Sequence, residues 1–466
     1  MPAVQYESSL SKTTEISHFL SDCQQQAIAT HQPKLASLSI PIDPIKPWEA
    51  LAALGNSAQH HFYYDRPDQS SLVGIAVAID FWSEGKERFA QAQDFIQQWR
   101  SQVIFQDLSS KPSQRAKLHF LCSSTFFEQT TTNFRPIHVF VPQVQIATNP
   151  LTSTVTFNYL ISARTDLQST ELEISKQLEQ LKSAPPLPSI RQEQQRQIER
   201  DVNEFDRTVA AVLNHIGKSG LRKVVLADVM DVVAHQPFNS ARSLQTLRQN
   251  HPDCTVFSVS NHRGQSFIGA SPEHLLSIQD NRLTTDALAG SAPRGISLSI
   301  DTQLAQTLLS SQKERYEHKV VVDFLLAQLR SLGLNPQSAT TPQIMRLFHI
   351  QHLHTPISAT LNNHPLSPLE ILAKLHPTPA VAGSPTQPAS QLIQQFETFD
   401  RGPYAAPLGW IDTEGNSEFI VGIRSALIDG CKARLYAGAG IVSGSEPAKE
   451  LAEIKLKLQS LLNALR

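Results

Sequence analysis

The sequence predicts a mixed α/β protein, and three observations support this prediction. Segments with the two-residue period of strands alternate along the chain with segments that have the apolar spacing of helices. The 466 residues suit one large α/β unit or, at roughly 150 residues per domain, up to three domains. The stiff segment Ser183–Pro188 is the clearest break in the pattern, and we divide the chain there into residues 1–195 and 196–466.

Composition argues against several classes of partner. The formal net charge of −2 and the isoelectric point near 6.8 argue against nucleic acid. The longest apolar-rich stretch, Leu72–Trp82, is interrupted by Gly74 and Asp80 and is too short to cross a bilayer. The cysteines are scattered without a Cys-x-x-Cys pattern, and the N-terminus lacks a signal or transit pattern. We therefore expect a cytoplasmic protein with no membrane partner.

Residues 1–195 carry no obvious chemical motif, and we expect them to form mainly framework. Apolar spacing predicts a helix over Phe89–Trp99. Alternating or β-branched runs predict strands at Val73–Ile79, Lys117–Leu121, Ile137–Val141 and Thr154–Ile161.

After the break, polar sequence predicts a long helix over about Ser189–His215. A strand with a buried pattern follows at Arg222–Ala227, and it begins with two cations. A lysine at a strand end usually extends its amine to water, so Lys223 as an interior group is the less common alternative.

The segment from Ser271 to Gly295 organises the rest of the chain. It predicts a strand at His274–Ile278, a turn, a second strand at Arg282–Thr285 and then a loop of small residues at Ala289–Ala292. Such a loop exposes backbone N–H groups to an approaching anion. Glu273 stands at the head of this hairpin, where a lone carboxylate is more often a solvated edge residue.

A carboxylate lies on the apolar face of the helix predicted over Ser311–Ser331. Glu317 precedes Val320, Val321, Phe324 and Leu325 by three, four, seven and eight residues, so it shares their face. Its burial is unfavourable unless it meets a cation, a metal or hydrogen-bond donors. A metal ligand and a buried ion pair are both open interpretations.

Three histidines mark the strand predicted at Phe348–Pro356. Alternation puts His352 and His354 on one face, which permits a two-ligand zinc edge. No cysteine or further histidine stands at a companion spacing, so a histidine that hydrogen-bonds a substrate is the favoured interpretation. The segment 375–383 then predicts a proline-locked loop.

The last third predicts strands at Gly402–Ile411 and Glu418–Leu427, the latter carrying Arg424, and a helix from about Glu446 to Leu465. Ala437–Gly440 predicts a glycine-rich turn into that helix, which resembles a generic anion cradle. Glu450 lies in line with the apolar stripe of the helix. Glu453 and Lys457 flank the stripe. On this spacing alone they are expected to form a surface ion pair that stabilises the helix by roughly 0.2–0.5 kcal/mol.

Together these segments resemble the chorismate-utilising enzymes, and within that family the branch that makes isochorismate. The resemblance covers about residues 220–466, and the matching segments occur along this chain in the same order as in the family. The matching segments are KVVLA (223–227), FIGASPEHLL (267–276), LTTDALAGSAPRG (283–295), KERYEHKVVVD (313–323), QHLHTP (351–356), LHPTPAVAG (375–383), FDRGPYAAPLGW (399–410), IRSAL (423–427), YAGAGIV (436–442) and ELAEIKLKL (450–458).

The resemblance implies one large α/β (α+β) domain of two pseudo-symmetric halves, with packed antiparallel sheets and helices outside. By motif, Lys223 matches the general base that activates water and Glu273 the general acid that protonates the leaving hydroxyl. Glu317 and Glu453 match ligands of Mg²⁺. Residues that match the surroundings of the substrate are Gly290, Ser291, His352, Ala380, Arg424, Gly438 and Lys457.

The implied reaction is Mg²⁺-dependent addition of water at C2 of chorismate with loss of the C4 hydroxyl. Chorismate is a dicarboxylate, so its site must supply positive charge, which Arg424 and Lys457 can provide. Two glutamates leave positions on Mg²⁺ for a substrate carboxylate and waters. Lys223 must be neutral to act as a base, whereas Glu273 must keep its proton at neutral pH.

Several alternatives remain within the resemblance. Pro377–Ala380 follows the isochorismate pattern and distinguishes the chain from salicylate, anthranilate and aminodeoxychorismate synthases, which differ in this loop. Asp228 departs from the family, where a basic residue is more usual. A non-catalytic chorismate-binding or metal-binding protein is the alternative from another class. We take a monomer as the default, and leave open both the pathway that uses the product and whether Glu450 assists the metal through water.

Overall fold

The fold is described from a computed structural model. It describes residues 3–465 apart from 56–59, 67–70, 110–116, 185–186, 188–195, 201, 203, 217–219, 349 and 362–365. The helices are α1 (Ala3–Thr30), α2 (Pro47–Leu54), α3 (Arg88–Arg100), α4 (Leu167–Lys182), α5 (Phe205–Leu213), α6 (Ser240–Asn250), α7 (Leu298–Ser310), α8 (Gln312–Ser331), α9 (Pro368–Leu375), α10 (Thr386–Phe396) and α11 (Pro447–Leu462).

The strands of residues 1–195 are β1 (Lys34–Ile42), β2 (His61–Asp65), β3 (Ser71–Ile75), β4 (Ile79–Ser83), β5 (Val103–Asp107), β6 (His119–Ser124), β7 (Ile137–Val141), β8 (Val144–Thr148) and β9 (Ser153–Ile161). Those that follow are β10 (Arg196–Arg200), β11 (Lys223–Ala234), β12 (Thr255–Ser260), β13 (Ser266–Ser271), β14 (His274–Gln279), β15 (Arg282–Pro293), β16 (Gln337–Ser338), β17 (Gln343–Arg346), β18 (Ile350–Thr360), β19 (Gly383–Ser384), β20 (Pro407–Asp412), β21 (Ser417–Val421), β22 (Ser425–Asp429) and β23 (Lys432–Val442).

The strands form two large sheets, which confirms the predicted α/β class. Among the described residues, one sheet has 13 strands and runs β10-β11-β23-β22-β13-β12-β2-β3-β8-β9-β1-β5, with β19 beside β11. The other has 10 strands and runs β16-β18-β15-β14-β21-β20-β6-β7-β4, with β17 beside β18. Neighbouring strands are antiparallel except β1 and β5, which run parallel.

Both sheets combine strands from before and after residue 195. In the larger sheet β12 pairs with β2, and in the smaller one β20 pairs with β6. Apolar side chains of both sheets belong to one buried core. Helix α8 packs on β15 and β18, and α11 packs on β23, so these two helices flank the strands that carry the predicted site. In the part of the chain that the structure describes, we find no helix with the length and hydrophobicity of a membrane span.

Two helices begin at serine N-caps that can be recognised in the sequence. Ser311 ends one helix and caps the next, because its hydroxyl accepts a hydrogen bond from the N–H of Glu314. Ser367 caps α9 in the same way, with Pro368 at the first helical position. The caps satisfy N–H groups that no helical carbonyl can reach.

Several predicted elements were wrong in extent. The strand predicted at Val73–Ile79 is two strands, β3 and β4, because Ala76 adopts a positive φ of 57° between them. In place of a helix over Ser189–His215, the described residues contain strand β10 and the shorter helix α5. The strand predicted at Glu418–Leu427 also divides in two, at Arg424 with φ of 52°.

The two small-residue segments were predicted as a loop and a turn, and this was wrong. Ala289–Ala292 lies inside β15, and Ala437–Gly440 lies inside β23. Small side chains favour no secondary structure strongly by themselves, so pairing with β18 and β11 determines their conformation.

A buried arginine ties the larger sheet to the loops that surround the site. Arg401 is 1% exposed and pairs with Glu397 on the end of α10. Its guanidinium also donates to the carbonyl oxygens of Val381, at 2.8 Å, and Val225, at 2.9 Å. The Glu397 carboxylate in turn accepts from the N–H of Ala227 at 2.8 Å. One ion pair thus holds β11, the 375–383 loop and the segment before β20 together.

We expect Arg401→Ala to lower the free energy of unfolding by about 3–5 kcal/mol, because it leaves the Glu397 charge buried without a partner. Thermal unfolding followed by circular dichroism measures the loss. Arg207→Ala is the matched control, since Arg207 and Glu204 form an ion pair at 2.9 Å that is 78% and 79% exposed. The control should change stability by less than about 0.5 kcal/mol. Equal effects of the two substitutions would contradict the interpretation.

Candidate active site

Lys223 is buried inside the protein rather than extended to water. It begins β11, its side chain is 1% exposed, and its Nζ lies 2.7 Å from Oε1 of Glu317 on α8. Of the two interpretations of Glu317, the structure has the buried ion pair, with the Glu317 side chain 13% exposed. The pair therefore connects a strand of the larger sheet to a helix that covers the smaller one.

Gly440 provides the space for this pair. A Cβ atom at Gly440 would lie 2.5 Å from Oε1 of Glu317 and 3.0 Å from Cε of Lys223. A larger residue at this position of β23 would have to displace the Glu317 carboxylate, so glycine leaves room for the pair as it is observed. Sequence reasoning missed this role of Gly440, although the small-residue segment that contains it was noticed.

Glu273 is a second buried ionisable group in the same site. It is 5% exposed, and its backbone is fixed on both sides: its N–H donates to the Ser271 hydroxyl, and its carbonyl oxygen accepts from the N–H of Val421. Burial raises the pKa of Glu273 to about 7, with Lys223 lowering it and Asp286 raising it further. A carboxyl with this pKa retains its proton in a large fraction of molecules at neutral pH.

A bulge in β15 presents Gly290 and Ser291. Gly290 has φ of 79°, and the register with β18 shifts between Ala289 and Ser291. The Ser291 hydroxyl lies 3.0 Å from Nδ1 of His352, and its N–H donates to Glu314. Burial lowers the pKa of His352 to about 3, with further lowering by Arg424 and Lys457. His352 is therefore neutral near pH 7, and its buried Nε2 has no partner among the described residues.

Arg424 and Lys457 bring positive charge to this region. Arg424 lies between β21 and β22, and burial lowers the pKa of its guanidinium. Lys457 on α11 donates to the carbonyl oxygen of Gly438 at 2.8 Å and pairs with Glu453 at 2.7 Å. The predicted i,i+4 pair of Glu453 and Lys457 is thus present, and the lysine side chain, 15% exposed, points inward rather than along a solvated surface.

Ala380 belongs to the loop that borders the start of β11. The loop ends in β19, where Gly383 pairs with Val224, and Ser384 pairs with Lys223. Val381, next to Ala380, is held by Arg401. Ala380 is partly buried.

Acidic side chains of α8 and α11 gather next to these groups. Burial raises the pKa of Glu314 to about 6, and Glu317 and Glu453 raise it as well. Glu450 pairs with Lys313 at 3.1 Å. Within the described ranges, no group of three or more histidine, cysteine or acidic residues is arranged to hold a metal ion. Glu317 and Glu453, the predicted Mg²⁺ ligands, are each paired with a lysine, Lys223 and Lys457.

The zinc edge suggested by alternation does not form between His352 and His354. Nε2 of His354 lies 3.0 Å from Asp286, whereas His352 faces Ser291. His349 lies outside the described residues.

Tyr404 is a further candidate that the sequence reasoning missed. A Cβ atom at Gly438 would lie 2.8 Å from its hydroxyl, so glycine there gives the phenol access to the site. Burial raises the pKa of Tyr404 above its ordinary value, and both Arg424 and Glu273 act on it electrostatically. A glycine in a strand can indicate that another group approaches its backbone closely, so Gly438 could have suggested such a contact. It could not have identified Tyr404 as the residue that makes the contact.

Comparisons with known proteins identify a family. A family model described as chorismate binding enzyme matches residues 19–466. The salicylate biosynthesis isochorismate synthase of Pseudomonas aeruginosa is 31% identical over 453 residues, which cover 94% of this chain and 92% of that protein. Isochorismate synthase MenF of Bacillus subtilis is 36% identical over 283 residues, 60% of each chain.

A solved structure shows the same fold over nearly the whole chain. It is MenF, the menaquinone-specific isochorismate synthase of Escherichia coli, with a TM-score of 0.78 and 27% sequence identity. The superposition covers 96% of this chain and 99% of that one.

The neutral state of His352 makes stability depend on pH. Its pKa is about 3 in the folded protein against an ordinary 6.5, so below pH 6.5 the unfolded chain binds a proton that the folded protein does not. Stability present above pH 6.5 is therefore lost as the pH falls, by about 2 kcal/mol at pH 5 for this group. We expect His352→Gln to lose correspondingly less stability between pH 7 and pH 5.

Thermal midpoints across this pH range measure the effect. His235→Gln is the control, since His235 is exposed, and it should retain the pH dependence of the unmodified chain. An unchanged pH dependence in a folded His352→Gln variant would show that His352 is not held neutral.

Proposed function

The chain belongs to the chorismate-binding enzyme family, and we propose that it isomerises chorismate to isochorismate with Lys223 as the base and Glu273 as the acid. One observation supports the assignment of roles above all others. A buried lysine and a buried carboxyl with a pKa of about 7 act on each other in one site. Relatives named as isochorismate synthases support the choice of reaction.

The reaction needs one proton removed and one delivered. Neutral Lys223 takes a proton from the water whose oxygen bonds to C2 of the ring. Both conjugated double bonds of the ring shift by one position as the C4–oxygen bond breaks, and Glu273 gives its proton to the departing hydroxyl, which leaves as water. Lys223 ends as an ammonium and Glu273 as a carboxylate, so atoms and charge balance. The raised pKa of Glu273 means that it holds the proton that this step consumes.

The basic side chains suit a dicarboxylate substrate. Arg424 and Lys457 supply charge-assisted hydrogen bonds to carboxylates, and both border the region of His352. The partnerless Nε2 of neutral His352 adds a hydrogen-bonding atom inside the site. The Pro377–Ala380 loop, which follows the isochorismate pattern, supports release of isochorismate without further elimination.

The residues present fit Mg²⁺, with Glu317 and Glu453 as its protein ligands. Carboxylate oxygens are the donors that Mg²⁺ prefers, and bound Mg²⁺ would supply positive charge for a substrate carboxylate. Glu317 is the partner of Lys223, at 2.7 Å. Bound Mg²⁺ would compete with Lys223 for the Glu317 carboxylate, and the loss of a counter-charge would favour a neutral amine.

We expect Lys223→Ala and Glu273→Gln each to abolish turnover of chorismate while chorismate still binds. Incubation of the purified chain with chorismate and Mg²⁺, followed by chromatographic separation of the products, is the test. Lys319→Ala is the control, because this lysine of α8 is 71% exposed, and it should retain full activity. Formation of salicylate alone, or of anthranilate when ammonia is added, would refute the reaction, and full activity of either site variant would refute its role.

We expect chelation of divalent ions to stop turnover and added Mg²⁺ to restore it. Glu453→Gln should weaken Mg²⁺ binding by about tenfold or more, because one of two protein carboxylate ligands is lost. Calorimetric titration with Mg²⁺ measures this without reference to activity. Glu446→Gln changes a carboxylate of the same region that is 63% exposed, and it should leave the affinity unchanged. If the unmodified chain, Glu453→Gln and Glu446→Gln all bind Mg²⁺ with equal affinity, Glu453 is not a ligand of the metal.

A further inference from the structure

A cavity that both sheets line contains none of the residues assigned to the reaction. Its volume is about 180 Å³, below the roughly 300–1,000 Å³ of pockets that hold drug-sized ligands. The smaller sheet contributes β4, β6 and β7, and the larger sheet contributes the residue before β2 and the turn between β12 and β13. The cavity thus joins residues 1–195 to residues 196–466.

Strand register places three of the lining side chains in one row. Trp82 of β4 pairs with His138 of β7, and His138 pairs with Ser123 of β6, so the three side chains share one face of the smaller sheet. Ser123 is 8% exposed, and among the described residues its hydroxyl has no hydrogen-bond partner. Burial of such a hydroxyl is unfavourable unless a ligand or a water molecule bonds to it.

Three imidazoles meet at this cavity. The ring centroid of His60 lies 5.3 Å from that of His138 and 6.4 Å from that of His262. Nδ1 of His60 lies 3.2 Å from the carbonyl oxygen of Ser260, so Nδ1 carries the hydrogen, and Nε2 has no partner among the described residues. Burial lowers the pKa of His60, and His138 and His262 lower it further, whereas the hydrogen bond to Ser260 and the charge of Asp80 raise it. A bound anion would favour the imidazolium form.

Arg135 brings to the cavity a cation with unused hydrogen-bond donors. Its guanidinium carbon lies 3.9 Å from the ring centroid of Trp82, and its N–H groups donate to no side chain or carbonyl of the described residues. Asp80 is the carboxylate among the described lining residues, and its Oδ2 lies 3.2 Å from Nε2 of His138. The charges of Arg135 and Asp80 balance while the imidazoles are neutral, so an added anion is favoured most when an imidazole is protonated.

We propose that this cavity binds a small organic carboxylate, with Arg135 and protonated His60 as its cationic donors and Ser123 as a further donor. Guanidinium and imidazolium groups form charge-assisted hydrogen bonds with carboxylates. Phe134 and Trp82 are apolar walls of the cavity, which suit an organic body better than an inorganic anion. Within the described ranges the histidines are not arranged to hold a metal ion. The proposal does not depend on the proposed function, because none of these residues takes part in the reaction.

Calorimetric titration of the full-length chain with sodium benzoate tests the proposal. Benzoate stays ionised between pH 6 and pH 8, so a pH dependence of its binding comes from the protein. We expect Arg135→Gln to weaken binding by about tenfold or more, because a charge-assisted hydrogen bond is lost. Binding to the unmodified chain should strengthen from pH 8 to pH 6, because the carboxylate favours protonated His60. Sulfate, which has no apolar body, should bind about tenfold or more weakly than benzoate.

Three further variants make the result specific to the cavity. Arg282→Gln removes an exposed arginine of β15 that does not line the cavity, and it should bind benzoate as the unmodified chain does. Arg424→Gln alters the candidate active site, and benzoate should still bind. His60→Gln keeps a polar side chain that does not titrate, so it should remove the strengthening at pH 6, and it provides a second test if Arg135→Gln does not fold.

Four results would overturn the proposal. They are equal affinity of Arg135→Gln and the unmodified chain, sulfate that binds as tightly as benzoate, no benzoate binding to any of these proteins, and binding that is lost in Arg424→Gln but retained in Arg135→Gln. The last result would place benzoate in the candidate active site. Each leaves chorismate isomerisation untouched, because the product assay tests that reaction separately.

Discussion

The burial of Lys223 is the constraint on which the rest of the site depends. An ammonium group out of contact with water is unfavourable by several kcal/mol unless a counter-charge meets it. Glu317 meets it at 2.7 Å, from a helix on the other sheet. The pairing of β11 with β23 makes this possible, because it sets Gly440 opposite Val225 and leaves the two side chains room.

Burial also sets the protonation states of the other ionisable groups in the site. It raises the pKa of Glu273 and lowers that of His352, so both are neutral, or close to it, at the pH at which Arg424 remains charged. The site therefore combines a carboxyl that keeps its proton in a large fraction of molecules, an uncharged imidazole and a positively charged guanidinium. Arg401, which is equally buried, pairs with Glu397 and donates to the carbonyl oxygen of Val381, and these bonds fix the loops around the site.

Most of the strand and helix types could be predicted from period and composition, whereas the candidate site residues came from the family resemblance of the segments read together. Several of the failures have a tertiary cause. Ala289–Ala292 and Ala437–Gly440 consist of residues without a strong preference, so their partner strands decided their conformation. The division at Arg424 rests on a positive φ that a non-glycine residue adopts only under tertiary constraint.

By itself, the sequence determined the α/β class and the family resemblance, and through that resemblance it named Lys223 and Glu273 as candidates, because periodicity and motif are local properties. Only the tertiary structure decided that Lys223 points inward to Glu317 and that Asp286 stands between His274 and His354. These pairs are 94 residues apart in the first case and up to 68 in the second, by subtraction of their positions. Contacts of this range arise when two sheets bury a common face, and no local pattern records which side chains will meet there.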